Sequence, residues 1–246
     1  MPAIETTSLT KEYDGFAALT DLSLSVDHGS LYGLLGPNGS GKTTTLSILT
    51  GQLVPTAGSA RVLDVDPVED PVEVRKKVGI LPEREDPPSF MTPREYLTFV
   101  SEVRDLDDPE YQIARWADRL GFEDRLDTLA TDLSEGERQR VMLAQAFVHD
   151  PQVVFIDEPL VNLDPIMQER VKRLFVDYCD VGNTLFLSTH FISVAEEICT
   201  NVGILSNGRL IAERDPRTLE DGEGLLEYFL SEVDAAKTAG EATVVQ

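Results

Sequence analysis

The sequence predicts an α/β fold with a parallel-sheet core, an antiparallel β subdomain and an inserted helical subdomain. Three observations support this. Short apolar runs alternate with helical stretches over most of the 246 residues, as in parallel sheets covered by helices. Residues 3–10 and 20–26 alternate polar and apolar side chains instead, which indicates two short strands. Residues 93–130 show only helical periodicity.

Composition narrows the class of protein. An apolar fraction of 41% argues against disorder, and no apolar run approaches the roughly 20 residues that a membrane span requires. The acidic N-terminus does not resemble a secretory signal. Cys179 and Cys199 fit no metal-ligand spacing and imply no disulfide framework, which favours a reducing cytoplasm, although one disulfide stays open.

The charge balance is strongly acidic. Asp and Glu number 44 against 21 Lys and Arg, for a net charge of −23. Such a surface repels itself at low salt, and concentrated salt screens the repulsion. The balance predicts adaptation to a salt-rich cytoplasm, as in a halophilic archaeon; the alternative is a merely acidic protein. Either way, it disfavours nucleic-acid binding, which needs clustered Lys and Arg.

The core elements follow from short apolar runs and turn residues. Buried strands are predicted at residues 31–35, 78–81, 153–156 and 185–188, and residues 202–205 are predicted to form one arm of a hairpin. A helix is expected over 43–50, and a further strand over 60–63 after the turn at 55–59. Residues 210–211 close a hairpin around Asn207-Gly208.

The composition and the hydrophobic periodicity of the sequence change after the strand at 78–81. Residues 83–92, rich in proline and charge, indicate a linker loop. The helical stretch that follows offers these core positions: Tyr96, Leu97, Phe99, Val100, Ile113, Trp116 and Leu120. We therefore predict one domain over 1–220, with a helical lobe inserted at about 84–142. An acidic C-terminal extension, 221–246, carries a predicted helix at 224–234.

A glycine-rich loop joins the strand at 31–35 to the next helix. It consists of Gly36, Pro37, Asn38, Gly39, Ser40, Gly41, Lys42 and Thr43 and fits G-x-x-x-x-G-K-[ST] in full. Its glycines let successive N–H groups point at one anion, and the helix start adds its positive end. Lys42 then reaches the β- and γ-phosphates, Thr43 binds Mg²⁺ and Thr44 bonds a phosphate oxygen. The loop predicts a P-loop nucleotide-binding protein; the alternative is a glycine-rich turn with chance spacing.

Two acids end the strand at 153–156. At the carboxyl end of a core strand, Asp157 faces the same crevice as the loop, where it can hold Mg²⁺ through water. Glu158 can polarise the water that attacks the γ-phosphate. The alternative is a solvated acid pair at a strand end.

The segment Leu133-Ser134-Glu135-Gly136-Glu137 precedes that strand. Here the chain resembles the ABC ATPase family, whose signature is usually written LSGGQ. Ser134 and Gly136 match, whereas Glu135 and Glu137 replace a glycine and the glutamine. The resemblance implies that Ser134 and Gly136 contact the γ-phosphate bound by a partner subunit. A simple helix cap, with Glu137 completing a capping box, is the structural alternative, and both can hold together.

Other positions match the family in order along the chain. Tyr13 stands where the family stacks an aromatic on adenine, and Leu163-Asp164 match its D-loop. His190 ends a strand as the family's switch histidine does, hydrogen-bonding the γ-phosphate. The family's Q-loop glutamine is replaced by Glu83, a carboxylate that can still bind Mg²⁺ or orient water.

The resemblance covers residues 4–215 and implies a RecA-like P-loop core that hydrolyses Mg·ATP. It implies a second copy or a paralogous ATPase as partner, integral membrane permease subunits docking near 84–104, and a cytoplasmic, peripheral position on the inner membrane face. The Leu81-Pro82-Glu83 and Ser188-Thr189-His190 forms look most like multidrug and polysaccharide exporters. The alternatives are a soluble ABC ATPase and a regulatory module that binds ATP without hydrolysing it.

Overall fold

Nine strands form two sheets in the part of the chain that the structure describes. The computed structural model describes residues 1–83, 85–219 and 224–244. The strands are β1 (Ile4–Tyr13), β2 (Phe16–Val26), β3 (Leu31–Leu35), β4 (Ala57–Val62), β5 (Val78–Leu81), β6 (Val153–Asp157), β7 (Thr184–Thr189), β8 (Asn201–Ser206) and β9 (Arg209–Arg214). The six-stranded sheet has the order β5-β6-β7-β3-β8-β9. Its neighbours are parallel except β8 and β9, which confirms the predicted core.

A three-stranded antiparallel sheet, β2-β1-β4, forms the predicted β subdomain. Asp14-Gly15 joins β1 to β2, and Asn207-Gly208 joins β8 to β9. All four residues have positive φ, between 43° and 87°. Two-residue turns of this kind match the right-handed twist of paired strands, so the predicted hairpin at 207–208 is confirmed.

Eight α-helices accompany these strands within the described ranges. They are α1 (Lys42–Leu49), α2 (Pro71–Lys77), α3 (Pro93–Val103), α4 (Pro109–Leu120), α5 (Glu135–Phe147), α6 (Pro165–Asp180), α7 (Ile192–Ile198) and α8 (Leu225–Val244). Thr92, Asp108 and Asp164 cap α3, α4 and α6, each followed by proline at the first helical position. The capping side chain accepts a hydrogen bond from a free backbone N–H in the first turn of the helix. Proline has no N–H, so it leaves no unpaired donor at the first helical position.

The main sheet separates two apolar clusters. Val154 and Ile156 of β6 pack in the cluster that also holds the lobe residues Leu97 and Trp116. The alternate residues Val153 and Phe155 pack with the antiparallel sheet and α1. This alternation follows from the two-residue period of a strand. Strand β6 lies between β5 and β7 and is buried on both faces. Its last residues reach the edge of the sheet at which the parallel strands end.

The helical region between β5 and β6 largely agrees with its prediction. Four of the proposed core residues, Leu97, Ile113, Trp116 and Leu120, are buried. The prediction for Phe99 was wrong, because its side chain is 54% exposed. Two residues after Leu97 on a helix, Phe99 points to the opposite face.

The predicted ends of the lobe and of the last helix differ from the observed elements. Residue 142 lies inside α5, and Arg84 lies outside the described residues. The helix predicted at 224–234 is α8, which continues to Val244. The rest of the predicted extension, 221–223 and 245–246, lies outside the described residues. Within the described ranges, no helix combines the length and apolar character needed to cross a membrane.

Candidate nucleotide-binding site

The glycine-rich loop connects β3 to α1 and wraps around the Lys42 ammonium group. Lys42 Nζ donates to the carbonyls of Gly36, at 2.8 Å, and Pro37, at 3.3 Å. Burial lowers the pKa of Lys42, while the carboxylates of Glu158, Asp157 and Glu83 oppose that shift. The cation is thus held at the start of α1, where backbone N–H groups also attract anions.

Gly41 shows why this loop needs glycine. Its φ is +110°, in the region that L side chains rarely adopt, and a Cβ there would lie 2.6 Å from the carbonyl oxygen of Ala18. Any side chain would therefore clash with β2 and shift the start of α1.

Asp157 is the last residue of β6, and its carboxylate is hydrogen-bonded to side chains of α1 and β7. Its Oδ2 accepts from Thr43 Oγ1 at 2.8 Å, and its Oδ1 accepts from Ser188 Oγ of β7 at 2.8 Å. Burial raises the pKa of Asp157, and the two hydroxyl hydrogen bonds oppose the rise. The carboxylate is therefore fixed beside Thr43, with oxygen atoms of the kind that Mg²⁺ prefers.

Glu158 follows in a strained backbone conformation and is bonded to the end of β7. Its φ is +50°, in the left-handed region that is costly for a non-glycine residue. Glu158 Oε2 accepts from Thr189 Oγ1 at 2.9 Å. Its Oε1 accepts from His190 N at 3.0 Å and lies 2.6 Å from His190 Nδ1. These contacts fix the carboxylate toward the loop.

One open cavity of about 560 Å³ unites these groups. It is lined by Tyr13, Phe16, Ala18, Asn38, Gly39, Gly41, Lys42, Thr43, Thr44, Glu83, Asp157, Glu158, Val161 and His190. A larger cavity, about 780 Å³, lies between α4 and α6 and includes Asp150 and Asn183, which precede β6 and β7. Since ligands of parallel sheets bind at the carboxyl ends of strands, the smaller cavity is the candidate site.

The family model described as "ABC transporter" matches residues 19–161, more than half of the chain. The chain belongs to the ABC transporter family. It is 35% identical over 232 residues to Nod factor export ATP-binding protein I of Burkholderia thailandensis, covering 89% of this chain and 73% of that protein. It is 32% identical over 224 residues to daunorubicin/doxorubicin resistance ATP-binding protein DrrA of Streptomyces peucetius, covering 90% and 68%.

Solved structures agree with the fold of an ABC ATPase. A structure described as the ATP-binding subunit of an ABC transporter superposes with a TM-score of 0.87 at 28% identity, covering 94% of this chain and 99% of that one. A dimeric ATP-binding cassette, MJ0796, bound to ADP and Pi, superposes with a TM-score of 0.81 at 22% identity, covering 88% and 100%; it supports the fold alone.

The signature segment of this ABC ATPase lies apart from the cavity. Ser134 is the N-cap of α5 and forms a capping box with Glu137. Gly136 packs against the segment before α6, since a Cβ there would lie 2.8 Å from the carbonyl oxygen of Asn162. Neither Ser134 nor Gly136 lines the cavity of its own chain.

Most predicted site residues meet in the cavity, and some lining residues were not predicted. Gly36, Pro37 and Ser40 belong to the loop but do not line the cavity. Phe16 was missed, although the Asp14-Gly15 turn pairs it with Tyr13 across the hairpin and could have revealed it. The contacts of Ser188 and Thr189 were also missed, because only strand pairing places them beside Asp157 and Glu158.

Proposed function

We propose that this chain is the ATP-hydrolysing motor of an ABC exporter and works with separate membrane subunits. The observation that carries the proposal is the convergence of Lys42, Thr43, Asp157, Glu158 and His190 in one cavity. These residues come from three strand ends that parallel pairing places side by side. A cation, a hydroxyl, two carboxylates and an imidazole suit phosphoryl transfer to water.

The loop and the hairpin bind the nucleotide in this proposal. Backbone N–H groups of residues 36–44 and the Lys42 ammonium hold the phosphates. The exposed ring of Tyr13 stacks on the adenine, with Phe16 opposite it in the hairpin.

The donor set fits Mg²⁺. Within the described ranges no group of three or more His, Cys, Asp or Glu residues could hold a metal, and Mg²⁺ usually takes few protein ligands. Thr43 Oγ1 and Asp157 Oδ2 are 2.8 Å apart, and Glu83 lines the same cavity. When bound there, Mg²⁺ neutralises charge on the phosphates.

Glu158 serves as the general base. Its carboxylate, fixed by Thr189 and His190, accepts a hydrogen bond from the water that attacks the γ-phosphorus. The water's proton passes toward Glu158 as the bond to the bridging oxygen breaks and ADP leaves. His190, beside Glu158, binds the γ-phosphate and reports its loss.

Two such chains sandwich two ATP molecules head to tail. Ser134 and Gly136, which lie outside their own cavity, face the γ-phosphate bound by the partner, a second copy or a paralogue. Closure and opening of this dimer drive membrane subunits docked near residues 84–104 from the cytoplasmic face. The export direction is favoured by relatives named for Nod factor export and drug resistance.

The strongly acidic charge supports a further part of the proposal. We infer that the protein works in concentrated salt, as in a halophilic archaeon, because screening then removes much of its self-repulsion.

Replacing Glu158 tests this function. The Glu158→Gln variant loses the base but keeps the volume and the phosphate contacts, so ATP hydrolysis should fall by about a hundredfold or more. ATP with Mg²⁺ should then drive the variant into a stable dimer, visible by light scattering in 3 M KCl. Glu73→Gln, a matched change at a partly exposed position of α2, should hydrolyse ATP as the wild type does.

The trapped variant also tests the membrane partner. Tagged Glu158→Gln protein, incubated with ATP and detergent extracts of source membranes, should retain a multi-span membrane protein. Recovery of soluble proteins only, with a functional ATPase, would favour the alternative of a soluble ABC ATPase. ATP binding by a wild type that never hydrolyses it would favour the regulatory module.

A further inference from the structure

Glu137 takes both polar hydrogens of Ser134. Its Oε2 accepts from Ser134 N at 2.8 Å and from Ser134 Oγ at 2.8 Å. A serine hydroxyl has a single proton, and an ionised phosphate oxygen can only accept. The hydroxyl of this exposed serine therefore has no proton left for a phosphate while Glu137 holds it.

Arg125 holds the other oxygen of Glu137. Its Nε donates to Glu137 Oε1 at 2.8 Å, from the short 3₁₀ helix at Glu123–Arg125. The Ser134 N–H and hydroxyl lower the pKa of Glu137, and Arg125 lowers it further. These contacts favour the ionised form of the Glu137 carboxyl group, which lies against Ser134, and Arg125 is the cation that faces it.

We propose that Glu137 masks Ser134 against the phosphate of the partner's ATP, and that Arg125 is the positioning residue that offsets this mask. The inference rests on the proposed ATP-sandwich dimer. The γ-phosphate competes with Glu137 for the Ser134 hydroxyl, and like charges oppose their approach. Arg125 reduces both effects by drawing Glu137 to its own side and by supplying positive charge beside the phosphate.

The two residues therefore act in opposite directions on ATP-driven dimerisation. Removing the carboxylate charge should strengthen dimerisation. Removing Arg125 should weaken it, but only while the carboxylate is present. A plain structural role in capping α5 predicts neither the gain nor the dependence of one change on the other.

A double-mutant cycle tests this, with every variant made in Glu158→Gln protein so that ATP is not consumed. Dimer dissociation constants are measured by analytical ultracentrifugation with Mg·ATP. Arg125→Ala should weaken the dimer about fivefold, and Glu137→Gln should tighten it about fivefold, as expected for a close interfacial charge. The double variant should lie within about twofold of Glu137→Gln alone.

The substitutions suit the site and have matched controls. Glutamine at this position keeps the capping box, so Glu137→Gln should fold, and its melting temperature verifies this. Glu135→Gln removes the same charge from the exposed neighbour and should not rescue Arg125→Ala. Arg115→Ala removes another arginine from the same lobe, paired with Asp150, and should leave dimerisation unchanged.

The possible outcomes separate the inference from the function on which it rests. If Glu137→Gln weakens the dimer, or the double variant is as weak as Arg125→Ala, Glu137 only caps the helix and the proposal is overturned. If the parent protein binds ATP but never dimerises, the sandwich dimer itself is wrong and this inference falls with it.

Discussion

At the residue scale, Asp157 shows a conflict between function and stability. The residue is 3% exposed, and burial, together with Glu158 and Glu83, raises the pKa of its carboxyl group. A raised carboxyl pKa means that the ionised form costs folding free energy at neutral pH. The cost disappears as the pH falls through the raised pKa. In the proposed role of Asp157 as a Mg²⁺ ligand, its carboxylate is kept ionised at the expense of stability.

Asp157→Asn should stabilise the nucleotide-free protein and abolish its response to Mg·ATP. The amide keeps contacts with Thr43 and Ser188 without the buried charge, so we expect a melting temperature higher by about 2–4 °C, or about 1 kcal/mol. Differential scanning fluorimetry with and without Mg·ATP measures both effects. Asp177→Asn, at an exposed position of α6, should change neither. A lower melting temperature without nucleotide would contradict the argument.

At the element scale, a close contact with β5 positions α5, the helix that Ser134 caps. A Cβ on Gly79 of β5 would lie 2.1 Å from the carbonyl oxygen of Ala146 and 3.1 Å from Pro151 Cγ. The backbone of α5 therefore approaches the edge strand more closely than any side chain allows. Because Ser134 caps the other end of this helix, the contact also sets where Ser134 lies relative to the sheet.

Gly79→Ala should push α5 away from β5. The clash is with backbone rather than a flexible side chain, so we expect the free energy of unfolding to fall by about 2–3 kcal/mol, as in overpacked cores. Urea unfolding followed by circular dichroism provides the measurement. Gly224→Ala is the control, since its Cβ would meet only a Glu196 side-chain oxygen at 3.5 Å. Equal losses in both variants would show that the close approach is not what matters.

At the scale of the whole molecule, the main feature is an excess of negative charge. Only six of the 246 residues are lysine, and the net charge is −23. Several ion pairs lie at exposed positions, such as Arg94 with Asp127 and Arg217 with Asp215, where each contributes little. If the protein works in concentrated salt, as proposed, its stability should therefore depend on the ionic strength of the solvent more than on these local pairs.

Raising KCl from 0.1 to 3 M should raise the melting temperature by about 10 °C or more, because salt screens the repulsion. A variant with four exposed acids changed to glutamine, at Glu5, Glu69, Glu102 and Glu227, should melt higher at 0.1 M and respond less to salt. Calorimetry across a KCl series tests both. An unchanged response in the fourfold variant would assign the salt effect to something other than net charge.

Local signals account for what sequence analysis predicted correctly. The loop at 36–43 is contiguous, so the glycines and Lys42 from which anion binding was predicted all lie within eight residues. Strand periodicity, the Asn207-Gly208 turn and the capping box at Ser134 are likewise contained in short windows. The prediction for Phe99 failed because the apolar character of a residue does not state which face of a helix it occupies.

The sequence by itself therefore determined the fold class, the glycine-rich loop between β3 and α1, and the two acids at the end of β6. Only the tertiary structure decided which partners those groups have. Thr43 and Asp157 meet across 114 positions of the chain, Phe16 enters the cavity through the hairpin, and Arg125 reaches Glu137 from outside α5. Such contacts depend on how elements pack together, and packing is set by the whole core rather than by any segment.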